Sequence, residues 1–125
     1  MRITRIWADD TGESHFEDME LELESIDYAP PAPPLDVSVP FPAEQALVFE
    51  FPAGWFGDWH PSPRRQRYFN RGGRLEVEVG DGETRRVGPG AIVLLEDLTG
   101  TGHVTRVVGD EGSTGVFVQL SEEPR

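Results

Sequence analysis

Residues 54–73 read GWFGDWHPSPRRQRYFNRGG, and this stretch decides the fold. It begins and ends with glycine, and between the glycines it carries one histidine followed by polar side chains. From the first glycine, five residues lead to His60, one more to Ser62, three to Gln66 and six to the closing glycine. Alternate side chains of an extended strand point to the same face, so these three side chains are predicted to share one surface.

Length and composition indicate a single domain of ordinary size. The chain has 125 residues and no cysteine, so disulfides and thiolate metal sites are excluded. No apolar run approaches the ~20 residues of a membrane span, and residues 1–5 are not followed by the apolar segment of a signal peptide. The sequence therefore predicts a cytoplasmic protein without a membrane partner.

The charge balance argues against nucleic-acid binding. The 23 acidic and 11 basic residues give a net charge of −12, which repels phosphate backbones. Every basic residue is arginine, which we interpret as the coding bias of a GC-rich bacterium. The sequence has no phosphate-binding loop, nucleophile elbow or zinc-protease helix motif, so no nucleotide cofactor is expected.

Hydrophobic alternation and glycine turns predict short strands throughout the chain and no helix. Residues 28–42, which include the proline run 30–34, are predicted to form an ordered arm or loop, because proline lacks the amide that a strand ladder requires. This pattern is typical of a β-sandwich or barrel. The predicted strands cover residues 2–7, 16–23, 46–51, 60–70, 74–79, 83–87, 91–95, 103–108 and 116–120.

The stretch at 54–73 resembles the first signature of the cupin family, which reads Gly, five residues, His-x-His, three or four residues, Glu, six residues, Gly. Both glycines and the first histidine, His60, match this signature. Ser62 stands at the position of the second histidine, and Gln66 stands at the position of the glutamate.

A second segment resembles the second cupin signature, which closes with Pro-x-Gly-x-x-His. Gly100 and His103 fit, whereas Leu98 replaces the proline and Val107 replaces the asparagine expected four residues after the histidine. The resemblance implies an all-β, double-stranded β-helix, or jelly-roll β-barrel, with a pocket in its mouth. We expect one domain over residues 1–125, with an N-terminal extension of strands and proline arm at 1–45 and the barrel core at 46–120.

The resemblance also implies a candidate metal site. Metal-dependent cupins bind one divalent ion through these signature positions, which here are His60, Gln66 and His103. Two imidazoles suit zinc, iron, nickel or copper. Because glutamine is neutral, and because a serine hydroxyl rarely ligates, we expect weaker binding than by a site with three histidines and a glutamate. The alternative is that both histidines are hydrogen-bonded pocket residues without a metal.

Several nearby side chains are candidates for ligand binding. Trp55 and Trp59 crowd the approach to His60 and are expected to form an apolar lid over a flat hydrophobic or aromatic molecule, unless they serve as core or dimer contacts. Arg64 could bind a carboxylate or enolate oxygen. Tyr68 is predicted to donate a proton or a hydrogen bond, or else to be a wall aromatic with a satisfied hydroxyl.

Two other titratable residues are predicted to lie apart from the chemistry. His15, beside an acidic turn, is expected to be a surface or edge histidine. Asp97, six residues before His103, is expected to be a solvated loop aspartate, and the alternative is that it orients the histidine.

These features favour a small-molecule enzyme of the cupin type that catalyses isomerisation, cyclisation or dehydration. In the metal-free version, His60 or His103 is the general base, and Tyr68 or Gln66 stabilises the developing oxyanion. The alternatives are a non-catalytic small-ligand-binding module and a metal-dependent dioxygenase. A homodimer is also left open, because cupins often dimerise through edge strands and the proline arm could clasp a neighbour.

Overall fold

The computed structural model describes residues 1–121, and within them the chain forms eleven β-strands and no helix. The all-β fold class is therefore confirmed; the last four residues of the predicted domain lie outside the described residues. No helix in the described part of the chain is long and apolar enough to cross a membrane. The strands are β1 (Arg2–Ala8), β2 (Ser14–Glu20), β3 (Leu23–Ile26), β4 (Leu35–Ser38), β5 (Ala43–Phe51), β6 (Gln66–Gly72), β7 (Arg74–Val79), β8 (Thr84–Val87), β9 (Ile92–Glu96), β10 (His103–Val108) and β11 (Ser113–Leu120).

Two larger sheets enclose the main core. One has six strands in the order β2-β1-β9-β6-β11-β5, and the other has three strands in the order β10-β7-β8. All their pairings are antiparallel except that of β1 with β9. This two-sheet arrangement is a jelly roll, as predicted. The buried core draws on both sheets and includes Ile6, Tyr68, Leu75, Val77, Val93 and Leu95.

Strand β7 shows how the sequence pattern builds this core. Leu75, Val77 and Val79 are 3%, 6% and 0% exposed, while the intervening Glu76 and Glu78 lie on the outer face. Burying each aliphatic side chain stabilises the fold by about 1.5–3 kcal/mol. A one-residue shift in register would bury the glutamates instead, so the pattern fixes the register.

The predicted arm at residues 28–42 is partly wrong. Residues 35–38 form strand β4, which pairs with β3 to make a separate two-stranded hairpin. The prolines lie in the connection between these strands, whereas Leu35 and Val37 alternate with polar residues and follow the last proline. The predicted strand at 16–23 is also divided. β2 ends at Glu20, and Leu23, the last residue of the predicted strand, begins β3.

Other predicted strand limits need smaller corrections. β5 and β11 each begin three residues before the predicted start. Regular pairing of the predicted strand 60–70 begins only at Gln66, as expected from Pro61 and Pro63.

An ion cluster on the outer face ties three segments of this sheet together. The Glu96 carboxylate accepts hydrogen bonds from Nε of Arg5 and Nε of Arg65, each at 2.5 Å, and its side chain is only 6% exposed. Arg5 also donates to Glu17 at 2.8 Å.

Removing this charge should destabilise the fold. Because both guanidiniums would lose a charged acceptor, Glu96→Gln is expected to lower the free energy of unfolding by about 1.5–3 kcal/mol in urea denaturation. Glu20→Gln is the control, since that side chain is 62% exposed and pairs with Arg2 at 3.4 Å. The control should cost less than about 1 kcal/mol. Equal losses of unfolding free energy in the two variants would show that the buried Glu96 cluster stabilises the fold no more than an exposed ion pair.

Candidate functional site

A cavity of about 410 Å³ lies between the two sheets, at the end where β10 begins. Its wall is largely apolar, and its polar groups include His60, Ser62, Gln66 and His103. The cavity thus combines a hydrophobic interior with imidazole, hydroxyl and amide side chains. The apolar wall includes Ile6, Phe51, Trp55, Leu75, Val77 and Phe117.

The backbone brings His60 and His103 together. Their amides and carbonyls exchange two hydrogen bonds, at 3.1 and 3.0 Å, in an isolated antiparallel bridge. The ring centroids are consequently 5.1 Å apart, with the rings tilted by 52°. Gly102 makes this approach possible, because its φ is +75° and a Cβ there would overlap the carbonyl oxygen of His60.

A buried carboxylate orients His103. Nδ1 of this histidine donates to Oδ2 of Asp97 at 2.6 Å, and Ser62 Oγ donates to Oδ1 of the same aspartate at 2.8 Å. Asp97 is 0% exposed and His103 is 7% exposed. Since the carboxylate accepts the Nδ1 proton, Nε2 of His103 is the acceptor in the neutral imidazole.

A carbonyl orients His60 in the same way. Nδ1 of His60 lies 3.0 Å from the carbonyl oxygen of Asp58. A carbonyl can only accept, so Nδ1 carries a proton, and in the neutral imidazole Nε2 has the free lone pair. Asp58 has a φ of 60°, a left-handed conformation that aspartate tolerates better than most residues. Within residues 1–121, neither Nε2 has a hydrogen-bond partner in the protein.

Gln66 and Ser62 complete the polar end of the cavity in different ways. Gln66 begins β6, is 6% exposed and lines the cavity. Its amide forms no hydrogen bond with another described residue, so it is free for a ligand. Ser62 also lines the cavity, but its hydroxyl donates to Asp97, so its main contact is with that carboxylate.

Of the predicted aromatic lid, only Trp55 lines the cavity. Gly57 leaves room for its indole, because a Cβ at that position would lie 2.7 Å from Cζ3 of the ring. Trp59 is 43% exposed and is not part of the cavity wall.

Arg64 and Tyr68 have partners inside the protein. Nη2 of Arg64 donates to Glu44 at 2.5 Å and to the Leu120 carbonyl at 3.0 Å, and the side chain does not line the cavity. The ring of Tyr68 does line the cavity, but its hydroxyl donates to Asn70 Oδ1 at 3.1 Å. Burial raises the pKa of this hydroxyl, so it stays protonated and is best described as part of the wall.

The expectation of a solvated Asp97 is wrong. The aspartate follows β9 directly, and its backbone carbonyl accepts a hydrogen bond from the Ser62 amide at 2.9 Å. This contact holds the segment of Ser62 over Asp97 and excludes solvent from the carboxylate. In the sequence, the only indication that Asp97 orients His103 was its position six residues before that histidine.

The residues present suit a metal ion only in part. The two free Nε2 atoms are good ligands for zinc, iron, nickel or copper. Two imidazoles on one tetrahedral ion would place their ring centroids roughly 5 Å apart, as they are here. Gln66 offers a neutral amide oxygen as a third ligand, while the Ser62 hydroxyl is committed to Asp97.

A second cluster of acidic and imidazole groups lies outside the cavity, at the turns that follow β1 and β7. His15 Nε2 donates to Asp9 at 2.7 Å and Nδ1 donates to Asp81 at 2.9 Å. Both ring nitrogens therefore act as donors, which defines an imidazolium ion. Asp9, Glu13 and His15 also place ligand atoms within 4.8 Å of one another, but the His15 ring would have to lose a proton before it could bind a metal ion.

The stability of the fold should depend on pH through this histidine. Its hydrogen bonds to Asp9 and Asp81 raise the pKa of His15 above the ordinary value of 6.5, and its hydrogen bond lowers the pKa of Asp9 below 3.8. The His15 contribution is complete below pH 6.5 and is lost as pH rises through the raised pKa. The Asp9 contribution is present above pH 3.8 and is lost as pH falls through the lowered pKa.

Melting temperatures of wild type and His15→Gln measured from pH 4 to pH 9 test this account. The wild type should be more stable between about pH 4 and 6.5, and the difference should shrink in the alkaline range. A difference that is constant across the whole range would contradict the role of protonation.

Comparison with known proteins supports the fold. No protein-family model and no curated protein sequence matches the chain. A cupin 2 conserved barrel domain protein from Salinispora arenicola CNS-205 is 22% identical, with a TM-score of 0.52, over 82% of this chain and 76% of that one. The Cnp3 cupin domain of Schizosaccharomyces pombe is 16% identical, with a TM-score of 0.54, over 97% and 88% of the two chains.

A third similar structure is the DMSP lyase DddQ from Ruegeria pomeroyi DSS-3. It is 23% identical, with a TM-score of 0.54, over 83% of this chain but 49% of that one. This chain therefore spans about half the length of the lyase. With the two cupin domains, this likeness confirms that the chain has the cupin barrel fold.

Proposed function

We propose that this protein is a small-molecule enzyme of the cupin type that moves protons within an uncharged, mainly apolar substrate. The observation that supports this function is the pair of histidines at the cavity, each with Nδ1 held by a fixed acceptor and Nε2 free. The expected reactions are isomerisation, cyclisation or dehydration.

The cavity wall supports an uncharged substrate. No aspartate, glutamate, lysine or arginine lines the cavity within the described residues, and its surface is largely aliphatic and aromatic. A ligand carboxylate or ammonium placed there would lose its hydration without gaining a partner of opposite charge. We therefore expect a neutral molecule with one carbonyl or hydroxyl group directed at the histidines.

His103 is the proposed general base. Its Nε2 would take a proton from the carbon next to the substrate carbonyl, and Asp97 would stabilise the imidazolium that forms. As the electron pair moves onto the carbonyl oxygen, the Gln66 amide can donate a hydrogen bond to it. Return of the proton to another carbon gives isomerisation, and its transfer to a departing hydroxyl releases water.

His60, Gln66 and His103 are the residues that would hold a divalent ion. Such an ion would polarise the substrate oxygen as a Lewis acid. The roles of Asp58 and Asp97 are the same in either case, since each fixes the Nδ1 proton of its histidine.

Deuterium exchange tests the proposal directly. Neutral cyclic and aromatic ketones would be incubated with the protein in D₂O, and loss of the proton next to the carbonyl would be followed by proton NMR. Wild type should accelerate exchange of at least one ketone, and His60→Gln/His103→Gln should lose the acceleration by about 10²–10⁴-fold. His15→Gln is the matched control, because it removes the histidine outside the cavity.

Metal content measured on the same samples separates the two versions of the site. Metal that is near-stoichiometric in wild type and absent from the double variant would assign the ion to His60 and His103. Ligand binding without any exchange would instead support the non-catalytic binding module.

A further inference from the structure

A second concavity, the outer groove, lies on the opposite face of the six-stranded sheet. In β6, Gln66 and Tyr68 line the cavity, whereas Arg67 and Phe69 line the outer groove, because successive strand residues face opposite sides. The groove has a volume of about 480 Å³. Its apolar residues include Leu21, Leu23, Tyr28, Leu35, Phe41 and Phe69.

Arg67 places a positive charge in this apolar groove. Its guanidinium carbon lies 3.8 Å from the ring centroid of Phe41, and its Nε is buried without a hydrogen-bond acceptor. No carboxylate within residues 1–121 forms an ion pair with it. Among the other arginines of the described residues, seven pair with carboxylates, namely Arg2, Arg5, Arg64, Arg65, Arg85, Arg86 and Arg106.

The charges around Arg67 leave this guanidinium without a close partner. Burial lowers its pKa and the charge of Arg65 lowers it further, while the charge of Glu96 acts in the opposite direction. Glu96, however, is already bound by Arg5 and Arg65. Asp36 also lines the groove, but it lies exposed on β4 and makes no ion pair with Arg67.

Of the arginines within residues 1–121 that lack a carboxylate partner, Arg71 and Arg74 are exposed, whereas Arg67 is partly buried against Phe41. We propose that the outer groove binds an amphipathic carboxylate, in which an alkyl chain of medium length covers the apolar wall and the carboxylate pairs with Arg67. A guanidinium binds a carboxylate through two parallel hydrogen bonds, and an apolar wall with one charged group matches such a ligand. This binding is independent of the reaction proposed for the cavity.

The proposal can be tested with decanoate and decyltrimethylammonium as probes. Binding to wild-type protein would be followed by calorimetry and by methyl and aromatic NMR shifts. Decanoate should shift Phe69 and Ile92 of the groove, and decyltrimethylammonium should bind there more weakly. This comparison of opposite charges needs no variant, so it remains decisive if an Arg67 substitution impairs folding.

Two variants then assign the charge. Arg67→Gln should weaken decanoate binding by roughly tenfold or more, because a charged hydrogen-bond donor is lost. Arg74→Gln is the matched control, since this arginine is exposed and lies outside the groove. Its decanoate affinity should equal that of wild type.

Several results would overturn the proposal. These are no decanoate binding at the groove, equal binding of the two probes, or shifts confined to the cavity residues Leu75 and Val77. The proposal also fails if sedimentation and NMR show that a second copy of the chain covers the groove.

Discussion

Gly102→Ala is expected to be strongly destabilising. Alanine at a φ of +75° is strained, and its Cβ would overlap the carbonyl oxygen of His60. The overlapping atoms belong to the backbone of His60 and Pro61, which cannot rotate away as a side chain could. We expect a loss of about 4 kcal/mol or more in the free energy of unfolding, together with separation of His60 from His103.

Gly109→Ala is the matched control for this prediction. Gly109 also has a positive φ, of +89°, but a Cβ there would meet nothing within 4 Å. It should therefore cost only the left-handed strain of about 1–2 kcal/mol. Urea denaturation of both variants measures the difference, and equal losses would show that the overlap with His60 is relieved by relaxation.

Asp97→Asn should have the largest effect on the proposed chemistry. The substitution keeps the shape of the side chain but removes the negative charge that would stabilise the imidazolium. If the amide nitrogen faces His103, Nδ1 becomes an acceptor and the proton moves to Nε2, where it blocks the base. If the amide oxygen faces His103, the tautomer is kept but the opposite charge is still lost. Substrate proton exchange is expected to fall by about 10²–10⁴-fold, which is the contribution of general acid–base catalysis.

The controls for Asp97 separate positioning from simple packing. Ser62→Ala removes the other hydrogen bond of the aspartate but leaves its contact with His103, so exchange should fall much less. The nitrogen shifts of His103 report its tautomer, and any change of tautomer should occur in Asp97→Asn only. If the two variants lose exchange equally and His103 keeps its tautomer, the orienting role of Asp97 is wrong.

The fold could be predicted from local pattern because most strands carry their own signal. β7 alternates Leu75, Val77 and Val79 with outward-facing side chains, and glycine turns mark both of its ends. The hairpin of β3 and β4 was harder to predict, because its pairing joins Leu23 to Ser38 across a proline-rich connection. Pairing between such distant residues depends on tertiary packing, which a local pattern does not contain.

At the candidate site, local spacing predicted some residues correctly and failed for Arg64. The signature spacing identified His60, Gln66 and His103, and all three line the cavity. Arg64 shares the strand parity of His60 and Gln66, but the segment before β6 is not a regular ladder, so parity does not fix the direction of Arg64. Arg64 turns away to Glu44.

The role of Asp97 could not be read from a short motif. Its burial depends on the approach of Ser62 from a distant segment, and a loop position alone favours exposure. The lack of a carboxylate partner for Arg67 could likewise not be predicted, because its neighbours Arg64 and Arg65 do pair with glutamates.

The central claim is that the Nε2 atoms of His60 and His103 are unprotonated and available to a ligand in the cavity. Long-range ¹H–¹⁵N NMR of the wild-type protein at alkaline pH tests it most directly. The account predicts that His60 and His103 both carry their proton on Nδ1, with Nε2 unprotonated. A proton on Nε2 of either histidine would contradict the proposed base and metal-ligand roles of that residue.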